Sequence, residues 1–109
     1  MPFFFARERI LFVLVFLLVS WKSSFGGPYD DFVKKGKDHM GLFQYKEAKA
    51  MFEKAIALDP SKFDGHYNLA LALRKLNDLN GAVASLEKAH KIDREDLDCA
   101  KALSALYVQ

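Results

Sequence analysis

One cysteine, three prolines and six glycines in 109 residues are scarcities, and each removes a class of protein. A lone Cys99 cannot close an internal disulfide, so no disulfide framework holds this fold. It falls on an apolar stripe beside Ala100 and Leu103. A free cysteine there behaves as a small buried hydrophobe, the alternative being an intermolecular bridge in an oxidising compartment. Gly26 and Gly27 are adjacent, but Gly36, Gly41, Gly65 and Gly81 are scattered, so there is no glycine-rich loop to cradle a phosphate. His39, His66 and His90 stand on different segments without four-residue pairing or a second cysteine, which argues against zinc and leaves no metal or cofactor expected. A Cys99 and His90 nucleophile pair has no identifiable oxyanion hole beside it. The chain therefore reads as a non-enzyme.

An excess of one charge is missing as well. Setting aside residues 1–26 removes Arg7, Arg9 and Lys22 with Glu8, which reduces 16 basic and 14 acidic side chains to 13 of each. The pI near 8.7 thus belongs to the first segment. A neutral remainder has no clustered Lys and Arg to neutralise phosphates, and nucleic acid is not an expected partner.

Long apolar runs are confined to one place. After Arg7-Glu8-Arg9 the chain runs apolar from Ile10 to Val19, then turns small and polar at Ser23-Ser24-Phe25-Gly26-Gly27. A basic head, an apolar stretch and small residues two apart make the layout of a signal peptide, cleaved before Gly27. The rival is an uncleaved anchor. An anchor needs about 20 apolar residues, more than Ile10 to Trp21 supplies. The expectation is a leader over 1–26 and a domain over 27–109 that is secreted, periplasmic or otherwise extracytoplasmic. The alternative is a membrane-anchored domain, touching the membrane only through 1–26.

What the domain does have is repetition. Phe52-Glu53-Lys54-Ala55-Ile56-Ala57-Leu58-Asp59-Pro60 returns as Leu86-Glu87-Lys88-Ala89-His90-Lys91-Ile92-Asp93-Arg94, shifted by 34 residues. The same shift superposes Gly36 on Ala70, Leu42 on Leu76, Tyr45 on Leu79 and Ala48 on Ala82, which marks a repeated structural unit. Apolar side chains three and four apart predict helices, because an α-helix turns once per about 3.6 residues. The stripes are Phe32, Gly36, Met40 and Phe43; Tyr45, Ala48, Phe52, Ala55 and Ile56; Leu69, Ala70, Leu73 and Leu76; Leu79, Ala82, Val83, Leu86 and Ala89; and Ala100, Leu103 and Tyr107. Breaks fall at Pro60, which disfavours helix at Asp59, and at Asn77-Asp78. Asp30 and Asp31 after Pro28 offer carboxylates to a helix start, and Ser61 with Asp64 has the spacing of a capping box.

Small residues at Gly36 and Ala70, paired Ala48 with Phe52 and Ala82 with Leu86, further alanines at Ala55 and Ala89, and Asp59-Pro60 at the close resemble the tetratricopeptide repeat family. The likeness covers units at 29–61 and 63–95, with 96–108 similar to a capping helix. Departures stand at Lys35 and His39, where the second unit has Leu69 and Leu73, at His66, where a large residue is usual, and at Arg94, which replaces Pro. The resemblance implies an all-α fold: an α-α superhelix of two helical hairpins plus a capping helix, preceded by the hydrophobic signal or anchor segment.

The resemblance further implies a non-catalytic adaptor or scaffold that binds a peptide or helix of a protein partner in a concave groove lined by the first helix of each unit. Carried onto this chain, the groove takes Val33, Lys34, Lys37 and Met40, then Tyr67, Asn68, Leu71, Arg74 and Lys75, then Lys101 and Ala105. Asn68 matches the position that bonds a peptide backbone or terminal carboxylate in chaperone-binding members. Lys34, Lys37 and Arg74 echo that clamp's basic residues loosely, and an ordinary solvated face accounts for them equally well. A second expectation is an assembly subunit that self-associates or docks permanently through an open apolar end at Tyr29, Phe32, Phe43 and Tyr45, because the first hairpin has no cover while the last helix covers the fourth.

Overall fold

The computed structural model describes residues 26–108, which form five α-helices and, within those residues, no strand. They are α1 Pro28–Gly41, α2 Tyr45–Leu58, α3 Phe63–Lys75, α4 Leu79–Ile92 and α5 Leu97–Tyr107. The leader expected over 1–26 lies, apart from Gly26, outside the described residues. No helix among the described residues is long and apolar enough to cross a membrane.

Two hairpins repeat the same hydrogen bonds. At the end of α1 the Phe43 amide donates to Met40 O at 3.1 Å and the Gln44 amide to His39 O at 2.9 Å. At the end of α3 the Asn77 amide donates to Arg74 O at 3.0 Å and the Asp78 amide to Leu73 O at 2.9 Å. Both are Schellman closures, which need a left-handed residue just past the helix. Phe43 (φ 60°) and Asn77 (φ 65°) supply it. Phe43 is therefore turn and not core, 77% exposed at the tip with its ring edge-on to Tyr45, against its place in the predicted stripe. The second helices also end alike. Asp59 Oδ1 accepts from the Ser61 amide and Asp93 Oδ1 from the Glu95 amide, each at 3.1 Å.

That pairing overturns the predicted capping box. Ser61 is turned back onto Asp59, whose carboxyl its hydroxyl and amide hold below the usual range, and the residue preceding α3, Lys62, makes no side-chain cap. Instead the Gly65 amide in the first turn of α3 donates to the Tyr29 hydroxyl of α1 at 2.7 Å. A free N–H at a helix start needs some acceptor, and here a neighbouring hairpin provides it. Asp30 and Asp31 make no cap either; they sit in the first turn of α1, where negative charge suits the helix dipole. Asp78 and Asp96 do cap, accepting from the Gly81 and Cys99 amides at 3.0 and 2.8 Å.

Two buried clusters form the core. One holds Tyr29, Val33, Ala48, Phe52, Ala55 and Ala72; the other joins Ala70 and Leu73 to Ala82, Leu86 and Ala89, and these to Cys99, Leu103 and Leu106. Small residues set the helix spacing: a Cβ on Gly36 would stand 2.7 Å from Phe52 Cδ1. The last helix packs over the fourth as expected, but through Cys99, Leu103 and Leu106, and Tyr107 is exposed. The open apolar end is reduced on the other side. Tyr29 is buried against α3, with Lys62 Nζ 4.7 Å from its ring centre. Phe32 is half-buried, with the Lys35 and Lys54 ammonium groups each 5.8 Å from its ring centre.

Candidate functional site

The first helices of the units stand side by side. Tyr29 ties α1 to α3, and the carboxylates of Asp96 and Asp98 lie close enough to Tyr67 of α3 to reinforce the upward push that burial gives its hydroxyl pKa. The expected groove residues divide by burial. Lys34, Lys37, Arg74, Lys75, Lys101 and Ala105 are exposed, whereas Met40, Tyr67, Asn68 and Leu71 are half-buried. Val33 departs from the expectation. It is 7% exposed and belongs to the core, because its position, one turn from Tyr29 and just under one turn from Gly36, follows the buried side of α1.

Local geometry prepares the centre of this face. Tyr67 stacks on Phe63 with ring centres 5.3 Å apart, which holds an aromatic platform in place. Asn68 Nδ2 donates to Asp64 O at 2.8 Å. The amide is thereby oriented, and its oxygen remains an acceptor for an incoming N–H.

A second row escaped the sequence reading. Asp30, Asp64 and Asp98 are spaced by 34 residues, all exposed, each in the first turn of its helix. Their register is a periodicity that a search for acidic positions would have found. They suit the helix dipoles, and they also give the face a row of carboxylates at the N-terminal ends of the helices, with Lys37 and Arg74 farther along. The face is amphoteric, not simply basic.

Two of the histidines and the cysteine are spent locally, while His90 Nδ1 is buried without a hydrogen-bond partner among the described residues. His66 is buried and donates from Nε2 to Pro60 O at 2.7 Å, and His39 Nδ1 donates to Gln44 Oε1 at 2.7 Å. Cys99 is fully buried, its Sγ 3.4 Å from Leu86 O, and burial pushes the thiol pKa up, away from the thiolate that nucleophilic chemistry requires. Among the described residues no three His, Cys, Asp or Glu side chains converge as metal ligands would.

A family model described as a tetratricopeptide repeat matches residues 39–109. No curated protein matches the chain.

Proposed function

The chain belongs to the tetratricopeptide repeat family, whose repeats serve as protein–protein interaction modules, and from that membership we propose that it is a non-catalytic adaptor exported from the cytosol. Its partner lies along the face of α1, α3 and α5 as an extended or helical peptide. Acidic side chains of that peptide meet Lys34, Lys37 and Arg74, while apolar ones rest on Tyr67 and Leu71; Asn68 bonds its backbone and Lys101 closes the far end. The observation that carries this reading is the pre-ordered centre: a half-buried Tyr67 stacked on Phe63 beside an Asn68 amide already oriented by Asp64. Export rests on the leader layout at 1–26.

Proximity labelling from the full-length chain in the cells that produce it tests both halves. The expected neighbours are extracytoplasmic proteins, and they are lost when Lys37→Glu and Arg74→Glu are combined. A cytosolic neighbourhood removes the export half. An unchanged set of neighbours in the double variant removes this face as the binding site.

A further inference from the structure

Leu42 and Phe43 form the tip of the first hairpin, 66% and 77% exposed. Packing does not explain them. The matching positions of the second hairpin are Leu76, which is half-buried, and Asn77, and asparagine suits the left-handed backbone that both turns adopt. The first turn instead places an aromatic ring there and leaves it in water, edge-on to Tyr45.

Both turns share one end of the array. The first turns of α1 and α3 are joined by the Tyr29 hydroxyl and the Gly65 amide, so their far ends also lie together, and Leu76 lines one depression with Lys46 and Lys49 of α2. Residues 27–109 are neutral as a whole, yet their charge is divided between the ends. The half that carries the turns (35–51, 69–85 and 102–108) holds six basic and three acidic side chains, and the opposite half (27–34, 52–68 and 86–101) holds seven and ten. The surplus cations are available. Lys37, Lys46, Arg74 and Lys75 are exposed, and among the described residues the one ion pair, Lys49 with Glu53 at 3.7 Å, involves none of them.

Shape and charge select the same occupant. A protruding tip of two bulky apolar side chains needs a soft acceptor that closes around it, and the interfacial layer of a bilayer does so without a preformed pocket. Lysines beside such a tip lay their stems along apolar surface and keep their ammonium groups among the headgroups, where an anionic leaflet attracts them. Leu58, Ile92 and Leu97 are exposed as well, but they stand in the acidic half, which an anionic surface repels.

We propose that the tip of the first hairpin docks on an anionic phospholipid bilayer, Leu42 and Phe43 entering the interface while Lys46 and Lys75 lie against the headgroups. This contact is separate from residues 1–26 and from the Tyr67–Asn68 centre, and it goes beyond the adaptor reading.

The test places an environment-sensitive fluorophore at Gln44→Cys in the chain purified from the cells that produce it, Cys99 being buried and unreactive. Vesicles of mixed zwitterionic and anionic phospholipid are expected to shift its emission to the blue, and purely zwitterionic vesicles are not. A label at Lys88→Cys, exposed in the opposite half, should stay in water with either. Phe43→Asn in the labelled background should weaken vesicle binding about tenfold. The fold favours that substitution, so the loss is not unfolding. Lys46→Glu combined with Lys75→Glu should weaken binding about 25-fold; it leaves Lys37 and Arg74 in place, so failure here is distinct from failure of the adaptor reading. No shift at residue 44 with anionic vesicles overturns the proposal, as does an equal shift with both lipids. Equal shifts at residues 44 and 88 also overturn it, because adsorption is then through another part of the chain. A shift produced by membrane-free extract and not by vesicles overturns it in favour of a protein partner.

Discussion

Phe43 and Asn77 occupy the same place in two identical turns, both with left-handed backbone, yet they are not equally suited to it. Asparagine tolerates that conformation, whereas for an aromatic residue it costs about 1–2 kcal/mol. The Phe43 side chain recovers little of this, being 77% exposed. Phe43→Asn is therefore expected to raise stability by about 1 kcal/mol, measured as an upward shift in the urea midpoint at unchanged slope. A lower midpoint would mean that the edge-on contact with Tyr45 outweighs the backbone strain. The sequence marked Asn77-Asp78 as a break because of its residue types. It concealed Phe43, because an apolar residue three after Met40 continues a helical period, and what removes it from the helix is the hydrogen bonding of the last turn.

Within elements, closeness of approach decides which glycines matter. Gly36 and Gly41 both lie in α1, and helix propensity alone favours alanine at either by up to about 1 kcal/mol. A Cβ at Gly41 meets no heavy atom within 4 Å, whereas at Gly36 it collides with the Phe52 ring. Gly41→Ala should accordingly stabilise by as much as about 1 kcal/mol. Gly36→Ala should destabilise by about 1–3 kcal/mol, because the propensity gain is smaller than the overpacking cost. Thermal melts of the two variants that moved in the same direction would show that α1 and α2 are not in tight contact. The 34-residue pairing of Gly36 with Ala70 already pointed to this close approach. The rest of the stripes were legible in outline only: Tyr29, Val33, Gly65, His66, Ala72, Ser85 and Leu106 are buried although no stripe contained them, since a helix held between two neighbours buries more than one row, and Leu79 and Tyr107, which the stripes did contain, are exposed.

Across the whole molecule, the join between hairpins depends on Tyr29. Its hydroxyl accepts the Gly65 amide of α3, a bond that spans two units and supplies the cap that the sequence before α3 lacks. Tyr29→Phe keeps the ring in its cluster and leaves a buried N–H without an acceptor, so it is expected to cost about 1–3 kcal/mol. Hydrogen exchange should then show faster opening at Gly65 than in the unsubstituted protein; an unchanged rate there would place the cap elsewhere. The candidate binding face was legible in the same partial way. Its basic and aromatic members follow from the repeat register, and the ordered centre around Tyr67 and Asn68 rests on contacts four residues apart within α3, Phe63 with Tyr67 and Asp64 with Asn68, whose helical spacing stood in the sequence although the stripe pattern passed over it.

The chain's own letters determined the number of helices among the described residues, their pairing into hairpins and the period of 34 residues, because helix periodicity and turn chemistry act over a few neighbouring residues. Only the tertiary structure decided which polar atoms find partners: Tyr29 capping α3, Ser61 turning back to Asp59, and Val33 moving from the face into the core. Those outcomes depend on distances between residues remote in the chain, where burial leaves each N–H and hydroxyl to bond whatever packing brings within reach.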